Sequence, residues 1–155
     1  MNNIDICTFD VKSDFDFKFD FDYIEDFLQR VLKKLSIDNW NVSVVFCSNS
    51  FIQNLNKTYR GKDEPTDVLS FAQQDINGEW EPCAESGNAE AGDIVISLEY
   101  LSANAAAFGV SETEELQRLL IHGLLHLKGM DHSTNEAGEE MLLLGERLLL
   151  ETQNG

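Results

Sequence analysis

The run Leu119-Leu120-Ile121-His122-Gly123-Leu124-Leu125-His126-Leu127 is apolar on nearly every helical face, so the rest of the chain has to enclose a helix here. Ser111 and Glu114 form an S-x-x-E capping box that starts this helix near residue 112. Lys128-Gly129 ends it, with a cation in the last turn and a glycine able to take the left-handed C-cap conformation. His122 and His126 stand four apart, so both imidazoles leave one face of the helix one turn apart.

All three histidines of the chain, His122, His126 and His132, fall within residues 119–132. A reversal at Gly129 can bring His132 back as a third ligand beside the helical pair. Taken singly, each would read as a satisfied core histidine. Taken together they favour a metal, because a buried neutral imidazole needs a partner for each nitrogen and one ion supplies three such partners. Three imidazoles with no fourth protein ligand describe an open site, which suits one Zn²⁺ holding a reactive water; a structural zinc is usually closed by four ligands. Nickel or another divalent ion would fit three imidazoles about as well.

Residues 122–132, His-Gly-Leu-Leu-His-Leu-Lys-Gly-Met-Asp-His, resemble the H-G-x-L-H-L-x-G-x-D-H signature of the YbeY family, bacterial metal-dependent endoribonucleases of rRNA maturation, and meet each fixed position. The stretch from Asn56 through Tyr59-Arg60 to Pro65-Thr66-Asp67-Val68-Leu69-Ser70-Phe71 resembles a second signature, N-x-x-Y-R-x-K-x-x-P-T-D-V-L-S-F, and Gly92–Ser97 is a third family-like block. The resemblance spans roughly 56–132, whereas 1–40 and the acidic loop match no block. It implies a small mixed β-sheet packed with helices and a three-histidine site like that of metzincin proteases. It also implies a functional role for Arg60, with precursor rRNA as substrate, including the 3′ end of the small-subunit RNA, and work in ribosome quality control.

The chemistry of the residues agrees. Zinc peptidases carry H-E-x-x-H, whose glutamate takes a proton from the metal-bound water, but here that position is Gly123. Asp131 reads as an orienter of an imidazole or as a turn residue rather than a base. Glu112, Glu114 and Glu115 stand at the far end of the helix, where they complement its dipole. Attack on a phosphodiester instead builds charge on nonbridging oxygens, which a cation beside a metal stabilises. Arg60 is the catalytic candidate, in the densest basic cluster of the chain; without the resemblance that cluster would read as solvated surface. Lys57 and Lys62 are weaker phosphate contacts. Asp93 reads equally as an acid near the site and as a strand-opening residue.

Length and charge set the frame. A chain of 155 residues with 43% hydrophobic content makes one domain, 1–155, of α+β class. A formal charge of −17 repels long nucleic acid and anionic membranes, so no membrane or DNA partner is expected and RNA contact must be local or assisted by ribosomal proteins and assembly factors. Cys7, Cys47 and Cys83, odd in number and without a C-x-x-C pair, suggest reduced thiols. With neither a signal peptide nor a membrane-length apolar run, a soluble cytoplasmic protein is expected. Two alternatives are a noncatalytic ribosome-assembly factor with structural zinc and a metallohydrolase of peptides or small molecules.

Periodicity predicts a strand or helix approach at Asp14–Tyr23, with Phe15, Phe17, Phe19 and Phe21 covering the core face of a helix over about 22–35 capped by Asp22 and Glu25. It further predicts a strand at 41–47, then a helix after Ser48 or Ser50 with Phe51, Leu55 and Tyr59 on one stripe and a stop at Gly61. Strands at 66–71 and 92–97 flank an acidic loop at 73–91, and helices follow at 98–108, from 112, and after Ser133-Glu136 with Met141, Leu144 and Leu148.

Overall fold

The computed structural model of the chain describes residues 2–11, 19–72, 89–129 and 135–153, and the side chains of all of these but 135–139 and 153. Two strands rich in β-branched residues, β2 (Trp40–Cys47) and β4 (Ala89–Ser97), pair in parallel and make the middle of the sheet. β1 (Asn3–Thr8) adds in parallel outside β2, and β3 (Val68–Ala72) adds antiparallel outside β4, giving the order β1-β2-β4-β3. The mixed sheet matches expectation.

Alternation along the strands divides the apolar residues between two faces. Val42, Val44 and Phe46 of β2 and Ile94 and Ile96 of β4 enter the main core with α1 (Phe21–Lys34), α3 (Leu98–Phe108), α4 (Glu112–Leu127) and α5 (Asn135–Gln153). Cys47, Leu69 and Val95 face the other way, where Ile52 of α2 (Asn49–Arg60) covers them. The histidine helix α4 is the centre of the molecule. It packs on β3 and β4, on α5, and on α1 and α3, and its residues from Leu119 to Leu127 are buried except for His122 and His126, which are half-buried.

The helix ends obey the chain's own signals. Ser48, Ser97 and Ser111 accept from Phe51 N, Tyr100 N and Glu114 N, and Gly61 and Gly109 close α2 and α3 in the left-handed region. Gly92 follows a bulge at which β4 slips one residue against Asn41/Val42. A Cβ on Gly92 would strike the Phe71 carbonyl oxygen, so a glycine lets β3 cross this point closely.

Several expectations change. The cap of α1 is Asp20, which accepts from Asp22 N at 2.8 Å, so Phe21 is already helical and is 41% exposed while Phe19 packs on the core. Helical periodicity thus overrides the alternating Asp/Phe pattern at its end; Phe15 and Phe17 lie outside the described residues. In α2 Ile52 and Asn56 are buried, Phe51 and Leu55 of the expected stripe pack half-buried on the smaller cluster, and Tyr59 is exposed. β4 begins at Ala89, inside the segment read as loop, because small Ala89 and Ala91 fit buried beside β2; residues 73–88 are outside the described set. β1 has a weak signature in the sequence, since only Ile4 and Ile6 mark it and both are half-buried. The expected cap at Ser133 lies outside the described residues. Among the described residues, no helix is long and apolar enough to cross a membrane.

Candidate metal centre

On α4 the Nε2 atoms of His122 and His126 face each other at 3.0 Å, with ring centroids 4.5 Å apart and ring planes at 73°. Two ring nitrogens at that distance cannot both carry a proton. Either one N–H bridges the pair, or both lone pairs converge on a cation. Zinc bound by two imidazoles at about 2.0–2.1 Å each needs two nitrogens roughly 3 Å or slightly more apart, so the donor pair fits a divalent ion. The packing of α4 on all sides fixes this geometry, since neither turn can shift without moving the core. His132, the third expected ligand, and Asp131 lie outside the described residues. Among the described residues, no group of three His, Cys, Asp or Glu side chains is arranged to hold an ion.

Arg60 ends α2 and is exposed. Its Nη2 donates to the Ser70 carbonyl oxygen at 2.9 Å, and its guanidinium carbon lies 5.8 Å from the centroid of the Phe71 ring. Ser70, buried on β3, donates from Oγ to the Gly123 carbonyl oxygen at 3.4 Å. Arg60 is therefore tied through one strand residue to the turn of α4 that carries the two histidines. Lys57 instead pairs with Asp63 at 3.9 Å on the surface, and Lys62 is exposed.

The position after His122 has a packing role. A Cβ on Gly123 would sit 2.8–3.0 Å from the Ile94 side chain, so α4 approaches β4 as closely as it does because that residue has no side chain. A glutamate there would meet the sheet. Asp93 stands on β4 next to Ile94 and so points to the opposite face, away from α4; it is exposed, and desolvation by its surroundings pushes its carboxyl up against the lowering effect of a Ser43 hydrogen bond. The reading of Asp93 as an acid near the histidines is thereby removed.

Glu115 differs from the dipole-complementing surface acid that its place in the first turn suggests. It is 2% exposed, and burial pushes its carboxyl up, opposed by an Asn104 hydrogen bond and by the Arg118 charge. Asn104 Nδ2 donates to Glu115 Oε2 at 3.3 Å and to Asp67 Oδ2 at 3.2 Å, while Glu115 Oε1 has no hydrogen bond and lies 3.8 Å from Arg118 Nη1. The spacing 115, 119, 122, 126 sets Glu115 on the histidine face of the helix, a signal present in the sequence. Arg118 in turn forks onto Glu146 of α5 at 3.0 and 3.5 Å.

A mixed sheet with helices on both faces, and a His-x-x-x-His helix packed on its antiparallel edge strand, define an α+β protein with a paired-imidazole centre. The model of the family described as Endoribonuclease YbeY matches residues 8–153, well beyond the three sequence blocks and into the N-terminal region. The chain belongs to the endoribonuclease YbeY family. It is 53% identical over 133 residues to endoribonuclease YbeY of Treponema denticola, covering 84% of this chain and 83% of that protein. It is 47% identical over 130 residues to endoribonuclease YbeY of Borreliella burgdorferi, covering 83% and 84%. The fold is similar to the solution structure of a Thermotoga maritima protein, with a TM-score of 0.62 and 26% identity over 97% of this chain and 89% of that one.

Proposed function

We propose that this chain is a cytoplasmic, single-strand-specific endoribonuclease that processes precursor rRNA, including the 3′ end of small-subunit RNA, and acts in ribosome quality control. His122 and His126, joined by His132, would hold one Zn²⁺ or a similar divalent ion. The observation that carries this reading is the 3.0 Å approach of the two Nε2 atoms on a helix whose family relatives are endoribonucleases. A bound ion of this kind polarises a phosphoryl oxygen and lowers the pKa of a coordinated water.

The chain's own side chains supply the rest. Arg60, held by the Ser70 carbonyl at the edge strand, would reach round that edge to offer its planar guanidinium to the nonbridging oxygens that gain charge during cleavage. Its stack on Phe71 limits the orientations the guanidinium must give up on binding. Gly123 leaves α4 without a peptidase base and pressed against Ile94, which weighs against peptide hydrolysis. The charge of −17 means that RNA is delivered with ribosomal proteins or assembly factors rather than by long-range attraction.

The test is cleavage of a short labelled single-stranded RNA by zinc-loaded protein beside His126→Ala and Arg60→Glu, purified identically. The parent should cut; Arg60→Glu should lose about 10²-fold or more in rate, as when a transition-state donor is removed, and His126→Ala should lose cutting. Equal cutting by all three would overturn the assignment of the chemistry to this site.

A further inference from the structure

A cleft of about 190 Å³ runs between the end of α3, α4 and α5, and His122 forms part of its lining. Whatever occupies it therefore lies beside His122. One wall carries Phe108, a ring 65% exposed, and another carries Leu142, 63% exposed. The exposed Phe108 ring offers a flat apolar face on which another ring can stack, and Leu142 adds aliphatic surface.

The polar groups of the cleft are one-sided. Asp67, Glu115 and Glu146 offer carboxyl oxygens, and Arg118, the one cation among the described lining residues, is already engaged with Glu146 and lies 3.7 and 3.8 Å from Glu114 and Glu115 oxygens. Such a lining repels phosphate and rewards an uncharged ring that presents hydrogen-bond donors. Glu115 Oε1, buried without a hydrogen bond, is the acceptor least satisfied from within the chain. Adenine, cytosine and guanine each carry an exocyclic amino group, whereas uracil presents carbonyl oxygens in its place.

We propose that this cleft receives one unpaired, amino-bearing nucleobase of the RNA next to the scissile phosphate and rejects uracil. The inference rests on the endoribonuclease reading above. It adds a specificity pocket in which Phe108 and Leu142 sandwich the ring and the acidic lining selects the edge.

Nucleosides separate the base from the phosphate and the metal. Cytidine and uridine, which differ at one exocyclic position, are titrated into the full chain while the amide resonances of Leu142 and Gly145 are followed. Cytidine should shift both amides and bind at least about ten-fold more tightly than uridine, and Leu142→Trp, placed at an exposed position of the cleft, should abolish the shifts without lowering Tm. Glu115→Gln should narrow the cytidine preference. Equal binding of the two nucleosides, absence of shifts with both, or shifts that survive Leu142→Trp would overturn the proposal. Because no cleavage is read, this result is independent of the RNA-cutting assay: nucleoside binding without RNA cleavage would fault the nuclease reading alone, and cleavage without nucleoside discrimination would fault the pocket alone.

Discussion

A methyl group on Gly123 would press into Ile94, so Gly123→Ala should cost about 1–3 kcal/mol in urea unfolding, as overpacking does. Helix propensity alone predicts the reverse, a gain of roughly 1 kcal/mol; such a gain would show that α4 and β4 are not in contact at this point. The loss of a peptidase base at this position was legible in the sequence, but its cause was not, because the cause is a strand distant in the chain. Glu115 gives a pH signature. Its carboxyl is raised by burial, so the folded chain keeps a proton that the unfolded chain releases. Its effect on stability is therefore most favourable below the unfolded-state value and declines as pH rises from that value toward the raised folded one. Glu115→Gln should flatten this part of a stability-versus-pH profile, and an unchanged slope would assign it to other groups. The histidine pair could be read directly because helical spacing is local, whereas burial of Glu115 depends on α3 and Asp67 closing over it.

At the scale of elements, α2 carries Arg60 at its last turn and is held at its first by Ser48, which accepts from Phe51 N at 3.2 Å and donates to Asp10 Oδ2 at 3.0 Å. Ser48→Ala should lower stability by about 1 kcal/mol, the usual worth of an N-cap, measured by thermal or urea unfolding. No loss would mean that the packing of Ile52 alone holds the helix start. The helices from α2 to α4 were legible nearly to the residue, because serine caps and glycine stops are chemical signals written beside the elements they bound. The strands at the sheet's margins were less so. β1 has two half-buried isoleucines to mark it, and the first residues of β4 are small or charged, so both owe their form to pairing with β2 rather than to their own composition.

Across the whole molecule, the fold class and the enclosure of α4 followed from the sequence, but the order β1-β2-β4-β3 did not, since strand order arises from which faces the helices cover. The charge of −17 acts at this scale as self-repulsion in the folded state. Raising salt from low to physiological concentration should therefore raise Tm, and a flat or falling Tm would mean that local ion pairs such as Arg118–Glu146 offset the net field. Whether the paired imidazoles hold a metal decides the chemistry of the whole site. Its most direct test is competition of zinc between a chromophoric chelator and the full chain, run for the parent, His122→Ala, His126→Ala and His132→Ala. One ion per chain in the parent, with a loss of affinity in every variant, is the predicted result; parent-like affinity in His122→Ala and His126→Ala would contradict it.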